Sequence, residues 1–255
     1  MTQPRLMDTE TLKVMKEQID AYDETPDNRY HLEEYFAQRP CVNGDLASTT
    51  EATRVVANRN FEVLGTSATS DDVTFDSTNA GVLFTCDGSS ADQVIATPHL
   101  DTNQTAWAGI NWGTENEVEW ETQIKTGASL ATLQLWAGLK LTNTPVIATD
   151  DDQVMFRYNT TDDTTAFWTV ISSIAGTDTK TVTPVAIAVD TSYNFKIKID
   201  ASRIARCYIN DVLVLTTTAL TNDVDFIPYV GVHALAGVGS TLILNYMKIS
   251  RALFE

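Results

Sequence analysis

Residues 193–215 read YNFKIKIDASRIARCYINDVLVL, and their pattern decides the fold class. Tyr193, Phe195, Ile197 and Ile199 alternate with Asn194, Lys196, Lys198 and Asp200. A period of two places the two sets on opposite faces of an extended chain, the mark of a half-buried strand. Asp200 to Ser202 reads as a turn. Residues 204–209 form a second strand, Asn210-Asp211 is a dipeptide suited to a tight turn, and residues 212–215 form a third. Three short strands joined by tight turns make an antiparallel meander.

The same texture extends outward from this stretch. From Phe61 onward Thr, Ser, Asp and Asn are dense and helical periodicity is absent. Short β-rich runs recur at 61–64, 73–75, 81–85, 94–96, 117–125, 130–141, 153–158, 166–172, 185–188, 227–233 and 241–250. Such spacing predicts an all-β antiparallel sandwich of two sheets. The widest gap holds HLDTNQTAWAGINWGTEN and is expected as a long loop, where a sandwich keeps its contacts or its chemistry. The run at 61–64 is expected to pair with the last strand, closing 61–255 into one jelly-roll unit.

Residues 1–60 look different. Leu12, Met15, Ile19 and Tyr22 fall at helical spacing within 8–22, with Asp8 or Thr9 placed to cap the start. A second, shorter helix is expected over 30–38, with Leu32, Tyr35 and Phe36 as its apolar side, ending before Pro40. Residues 41–60 are polar and small and read as a linker. The segment is thus expected to be a helical and extended arm. Neither helix can bury much alone. Each should dock on its own sandwich, on a sister copy in a homo-oligomer, or on a larger assembly.

Composition limits the partners. The chain of 255 residues carries 34 acidic and 17 basic side chains, a formal charge of -17 spread along its length. Such a surface repels nucleic acid and anionic membranes. No stretch approaches the ~18 apolar residues a spanning helix needs, and MTQPRLMDTE lacks the apolar run of a secretory signal. Synthesis in a host cytoplasm is expected. Cys41, Cys86 and Cys207 have no metal-type spacing and read as free thiols. No cofactor is expected.

Several groups are candidates for chemistry. Glu117, Glu119 and Glu121 in Glu117-Val-Glu-Trp-Glu121 are expected on one face of a strand, with Val118 and Trp120 on the other. A solvated or interface-facing row is the expected reading, and a catalytic carboxylate pair the alternative. Asp150-Asp151-Asp152 and Asp162-Asp163 read as solvated acidic turns, with calcium binding the alternative for the first. Trp107 and Trp112 lie in the long loop, where exposed rings would stack on sugars and buried ones would pack the loop down. His31, His99 and His233 carry no local catalytic signature.

Resemblances add to this reading. The meander at 193–215 resembles a run found in laminin-G-like and concanavalin A-like sandwiches. The Glu117–Glu121 row resembles the Glu-x-Asp-x-Glu strand of the β-glucanase glycosidases, which would make Glu117 nucleophile, Glu119 orienting residue and Glu121 acid/base. The row departs from that pattern by having Glu119 in the middle. Four segments resemble β-sandwich proteins of tailed-bacteriophage virions: PHLDTNQTAWAGINWGTENEVEWETQIKTGAS, WAGLKLTNTPVIATDDDQVMFRY, YNFKIKIDASRIARCYINDVLV and IPYVGVHAL. That resemblance implies a non-enzymatic structural protein on the particle surface, bound to the major capsid protein or other virion proteins as a decoration or cement protein. The alternative is a lectin-like host-attachment module using Trp107 and Trp112.

Overall fold

The computed structural model describes residues 28–36, 40–42, 61–76, 78, 80–86, 92–98, 111–142, 150–163, 166–236 and 239–253. Seventeen strands order these residues: β1 (Arg29–Glu34), β2 (Cys41–Val42), β3 (Phe61–Leu64), β4 (Val73–Phe75), β5 (Val82–Cys86), β6 (Gln93–Pro98), β7 (Trp112–Gly113), β8 (Glu119–Thr126), β9 (Leu133–Lys140), β10 (Gln153–Asn159), β11 (Phe167–Ile174), β12 (Thr177–Ala186), β13 (Ser192–Ile199), β14 (Ile204–Ile209), β15 (Val212–Ala219), β16 (Asp225–Ala234) and β17 (Ser240–Ala252).

They form two sheets. One runs β15-β14-β13-β8-β17-β5-β4, and β1 pairs with β17 as well. The other runs β12-β11-β10-β9-β16-β6-β3-β2, with β7 also beside β16. Among the described residues every pairing is antiparallel except β2 with β3. The meander read from the sequence is β13–β14–β15, in the expected order.

The inward faces make one core. Trp120 and Ile124 of β8 and Phe195 and Ile197 of β13 meet Leu135, Val154, Phe156 and Val230 from the other sheet. Phe156 stacks on Phe195 with ring centroids 4.6 Å apart, and Trp168 meets Phe195 edge-on at 4.9 Å. These contacts cross between the sheets. Such aromatic pairs add roughly 0.5–1.5 kcal/mol each beyond area burial.

The two sheets differ on their outer sides. Strand β8 alternates buried and half-buried residues, as a sheet with one wet face should. Strands β6, β9 and β10 are buried at every position. On their outer side Trp136, Tyr229, Met155 and Ile95 form a second apolar cluster, with Leu64 against it. Gly231 stands opposite Trp136 in register, and a Cβ there would lie 3.1 Å from the indole and 3.0 Å from the Val94 carbonyl oxygen. The missing side chain is what lets the large ring lie down.

An ion pair is sealed beside this cluster. Lys140 Nζ is 3.1 Å from Asp150 Oδ2, with side-chain exposures of 0% and 1%, and Nζ lies 4.8 Å from the centre of the Tyr229 ring. Thr142 donates its hydroxyl to the same carboxylate. Burial pushes the ammonium down and the carboxyl up, against their mutual attraction. Asp150 is therefore not the solvated turn residue expected from its sequence. Its neighbour Asp152 is also turned inward, accepting hydrogen bonds from the Ala175 amide and the Thr221 hydroxyl. Asp163 likewise is buried against Arg157.

Two expectations for the N-terminal part are corrected. Residues 29–34 are a strand rather than a helix, paired antiparallel with β17 from Arg29–Ala252 to Glu34–Met247. The reason is tertiary. Strand β17 extends beyond the reach of β5, and its free backbone groups take β1 as partner on the same edge. The helical spacing of Leu32, Tyr35 and Phe36 has another origin. Phe36 adopts φ 50°, which turns the chain inward and sets its ring 5.8 Å from Phe61. Second, β3 pairs with β6 and β2 in the opposite sheet, not with the last strand. The helix expected over 8–22 lies outside the described residues.

Two stability predictions follow from this packing. Phe36→Ala should cost about 3–5 kcal/mol in urea unfolding, while Tyr35→Ala, at a residue 55% exposed, should cost under about 1 kcal/mol. Equal effects would mean that Phe36 is not a core residue. Asp150→Ala should cost about 3–5 kcal/mol by leaving a buried ammonium unpaired. The double change Lys140→Met with Asp150→Leu should restore most of that loss.

Candidate functional site

The glutamate row was the first candidate. Glu117 precedes β8 with φ 49°, and its carbonyl oxygen accepts from Arg29. Only Glu119 and Glu121 stand together on the outer face of the eight-stranded sheet. There they enter a cross-strand ladder of opposite charges. Glu119 pairs with Lys198 at 2.9 Å and Glu121 with Lys196 at 3.1 Å. Gln123 donates to Asn194 at 2.8 Å along the same two strands. Tyr246 donates its hydroxyl to Glu121 at 2.6 Å. The Lys248 ammonium lies 5.2 Å and 5.1 Å from the ring centres of Tyr35 and Tyr246. A shallow depression of about 140 Å³ opens here, lined in part by His31, Glu33, Glu121 and Lys248.

The electrostatics of this ladder oppose acid catalysis. Burial pushes the Glu121 carboxyl up, but hydrogen bonds from Tyr246 and Lys196, with the Lys196 and Lys248 charges, more than offset it. The carboxyl settles below its ordinary value. A glycosidase acid needs the opposite shift. With Glu117 off the strand and both remaining carboxylates tied to separate lysines, the arrangement that the row resembles is not formed. Glu119 and Glu121 are ion-paired and half-exposed, and Glu117, contrary to expectation, does not share their face.

The other candidates fall elsewhere. Trp112 is 2% exposed and packs on Tyr30 at 5.8 Å, so it offers no stacking platform. Strand β7 holds it against β16. Trp107, Leu12, Met15, Ile19 and Tyr22 lie outside the described residues. Leu32 is half-buried against the main core. Tyr35 points outward over Tyr246, and Phe36 belongs to the core. The candidate attachment residues 32, 35 and 36 therefore do not share one apolar face.

A polar row on the nine-stranded sheet has no counterpart among those candidates. In register, His233 of β16 stands between Gln93 of β6 and Gln134 of β9, and Gln134 stands beside Asn159 of β10. Four neighbouring strands thus contribute Gln, His, Gln and Asn to one line on the outer face. The next line contains Trp136, whose ring meets the His233 ring edge-on at 6.2 Å. Gln93 Oε1 and His233 Nδ1 are buried atoms with no hydrogen-bond partner among the described residues, while the Trp136 indole is engaged with the Tyr229 hydroxyl. Each such atom costs roughly 1–3 kcal/mol unless something pairs with it. Burial pushes the His233 imidazole down, with Asp92 pulling the other way, so the ring is neutral at neutral pH. No sequence motif marks this row, because its members come from positions 93, 134, 159 and 233. The alternation of LQLWAGLK in β9 is the one local hint, since it places Gln134, Trp136 and Lys140 on a common side.

The cations on this side of the sheet are already satisfied. Arg157 grips Asp163 with two nitrogens and reaches Asp162 at 2.6 Å. Lys140 is held by Asp150. The row therefore presents neutral donors and acceptors with an indole beside them. Among the described residues no group of three or more His, Cys, Asp or Glu side chains could hold a metal ion. Cys86 and Cys207 are buried, and burial pushes both thiols up to about 12, away from nucleophilic use.

No protein-family model matches the sequence, and no curated protein matches it. Solved structures do. A protein of unknown function from Shewanella oneidensis MR-1 is similar over 98% of this chain and 96% of its own, with TM-score 0.58 and 12% identity. The alginate lyase A1-II', of polysaccharide lyase family-7, is similar over 73% of this chain and 86% of its own, with TM-score 0.54 and 15% identity. The carbohydrate recognition domain of Emp46p in its potassium-bound form is similar over 80% and 93%, with TM-score 0.50 and 7% identity. At these identities the likeness concerns fold: the chain is a concanavalin-like, jelly-roll β-sandwich.

Proposed function

We propose that this chain is a carbohydrate-binding β-sandwich that holds a neutral glycan along the Gln93–His233–Gln134–Asn159 row. The observation that carries the reading is the row itself. Amide and imidazole groups both donate and accept, which is what sugar hydroxyls require. They are aligned across four strands, and two of them, Gln93 at Oε1 and His233 at Nδ1, lack hydrogen-bond partners among the described residues, while Asn159 Oδ1 accepts from the Thr161 amide and hydroxyl. Two proteins sharing the fold are by name an alginate lyase and a carbohydrate recognition domain, so sugar recognition suits this scaffold.

Charge argues for a neutral ligand. Arg157 and Lys140 are committed to aspartates. The segments 99–110 and 143–149, which follow β6 and β9 in sequence, contain no lysine or arginine. A formal charge of -17 further repels polyuronates. Binding rather than cleavage is proposed, because His233 is the single ionisable side chain of the row. Cleavage requires a second group to exchange a proton at the scissile bond. Capsid decoration, implied by the sequence resemblance, we place second. It needs buried contact area and gives no reason for a polar row.

Affinity electrophoresis against neutral and anionic polysaccharides tests the reading. A neutral glycan should retard the protein, and His233→Ala and Gln134→Ala should each weaken that binding by about five- to tenfold, near 1 kcal/mol. Polyuronates should not retard it. Absence of binding across a broad neutral panel, or binding untouched by both substitutions, would contradict the reading.

A further inference from the structure

The free edges of the two sheets are not alike. Natural sheets guard their edges with short strands, charges or proline, because an open edge invites another strand. Strands β2 and β7 have two residues each, and β4 has three. Strand β1, RYHLEE, carries Arg29, His31, Glu33 and Glu34. Strand β12 carries Asp178, Lys180 and Pro184. Strand β15, VLVLTTTA, is irregular at two points of its pairing with β14 but has none of the other guards. It is eight residues long, uncharged and free of proline, and among the described residues it has β14 as its one neighbour in the sheet. Val212 and Leu213 are 57% and 49% exposed.

We propose that β15 is a self-association edge, along which a second copy of this chain adds its own β15 in antiparallel pairing and joins two eight-stranded sheets into one. The occupant follows from charge. A twofold axis sets residue i of an edge against residue j of its copy and j against i, so only an edge without charge avoids like-charge contacts in every register. In a chain of formal charge -17, an edge without charge meets that condition and the charged β1 edge does not. Backbone pairing would supply the contacts, as in strand addition generally. Size is adequate. Eight residues at ~3.4 Å make an edge about 27 Å long, and sheets ~10 Å apart make a side wall roughly 20 Å thick. Strand β12 lies against β15 on this wall and adds its exposed Val182. Two such walls meeting would bury on the order of 1,000 Å² in total, the lower bound for a specific interface.

Light scattering and sedimentation of the full chain from about 1 to 200 µM test this, the range in which an interface of this size should populate a dimer. The wild type should reach twice the 28.0 kDa chain mass. Leu213→Lys and Thr216→Lys should each weaken the dimer at least tenfold. Phe75→Lys, at the exposed β4 residue, should leave it unchanged. The lysines lower the net charge, so general repulsion cannot account for the loss. Melting temperature identifies any variant that fails to fold. Hydrogen exchange of the wild type then gives an answer that needs no variant, since β15 amides should slow as concentration rises. A monomer throughout, a dimer indifferent to both β15 substitutions, equal weakening by Phe75→Lys, or β15 exchange independent of concentration would each overturn the proposal.

Discussion

The structure depends on the placement of its last two strands. Strand β16 lies inside the nine-stranded sheet, between β9 on one edge and β6 and β7 on the other. Strand β17 lies inside the eight-stranded sheet, between β8 on one edge and β5 and β1 on the other. Neither sheet is continuous without a strand from the C-terminal thirty or so residues. Sheets of this kind defer their reward, because distant segments must be brought together before their contacts form. The thirteen residues of β17 also explain why residues 29–34 are extended. A strand that outruns β5 needs a second partner, and local helical spacing does not compete with a row of unpaired backbone groups.

From that framework come two outer faces with opposite characters. On the eight-stranded sheet, Glu119 and Glu121 of β8 pair with Lys198 and Lys196 of β13, and Lys248 of β17 sits over the rings of Tyr35 and Tyr246. Exposed pairs of this kind contribute little stability, about 0–1 kcal/mol. They leave the face wet, saturated and without an activated group. On the nine-stranded sheet the outer face of β6, β9 and β10 is buried and mostly apolar, and the cations Lys140, Arg157 and Lys180 are matched to aspartates. The polar atoms left without partners among the described residues include those on Gln93, Thr97, Thr169 and His233 and are neutral. A face that has spent its charges and kept its hydrogen-bonding groups is suited to neutral hydroxyl-rich partners. It is poorly suited to anions.

Much of the fold was legible because burial on one face writes a period of two into the chain. Residues 193–199 and 204–209 are the clearest case. Strand β12 was harder to see. Its first half, TDTKT, is mostly exposed and so carries no apolar alternation. Leu32, Tyr35 and Phe36 looked helical by spacing alone; Leu32 in the strand faces the core, Tyr35 just past it faces out, and the positive φ at Phe36 then turns its ring back to the core. Asp150 read as solvated because no local signal reveals that Lys140 waits across the hairpin. The Gln–His–Gln–Asn row was invisible for a stronger reason. It exists only in the register of four strands, and no member has a sequence neighbour in the group. The glutamate row, conspicuous in sequence, is occupied by its own lysines in space.

The account's central claim is that the outer face of the nine-stranded sheet around His233 is where this protein meets its ligand. Amide and side-chain NMR spectra recorded during titration with a neutral oligosaccharide that the protein retains test it most directly. The account predicts that shifts concentrate on β6, β9, β10 and β16, with the Trp136 indole and His233 imidazole resonances among the largest. Shifts centred instead on Glu121, Lys196 and Lys248 of the eight-stranded sheet would contradict it.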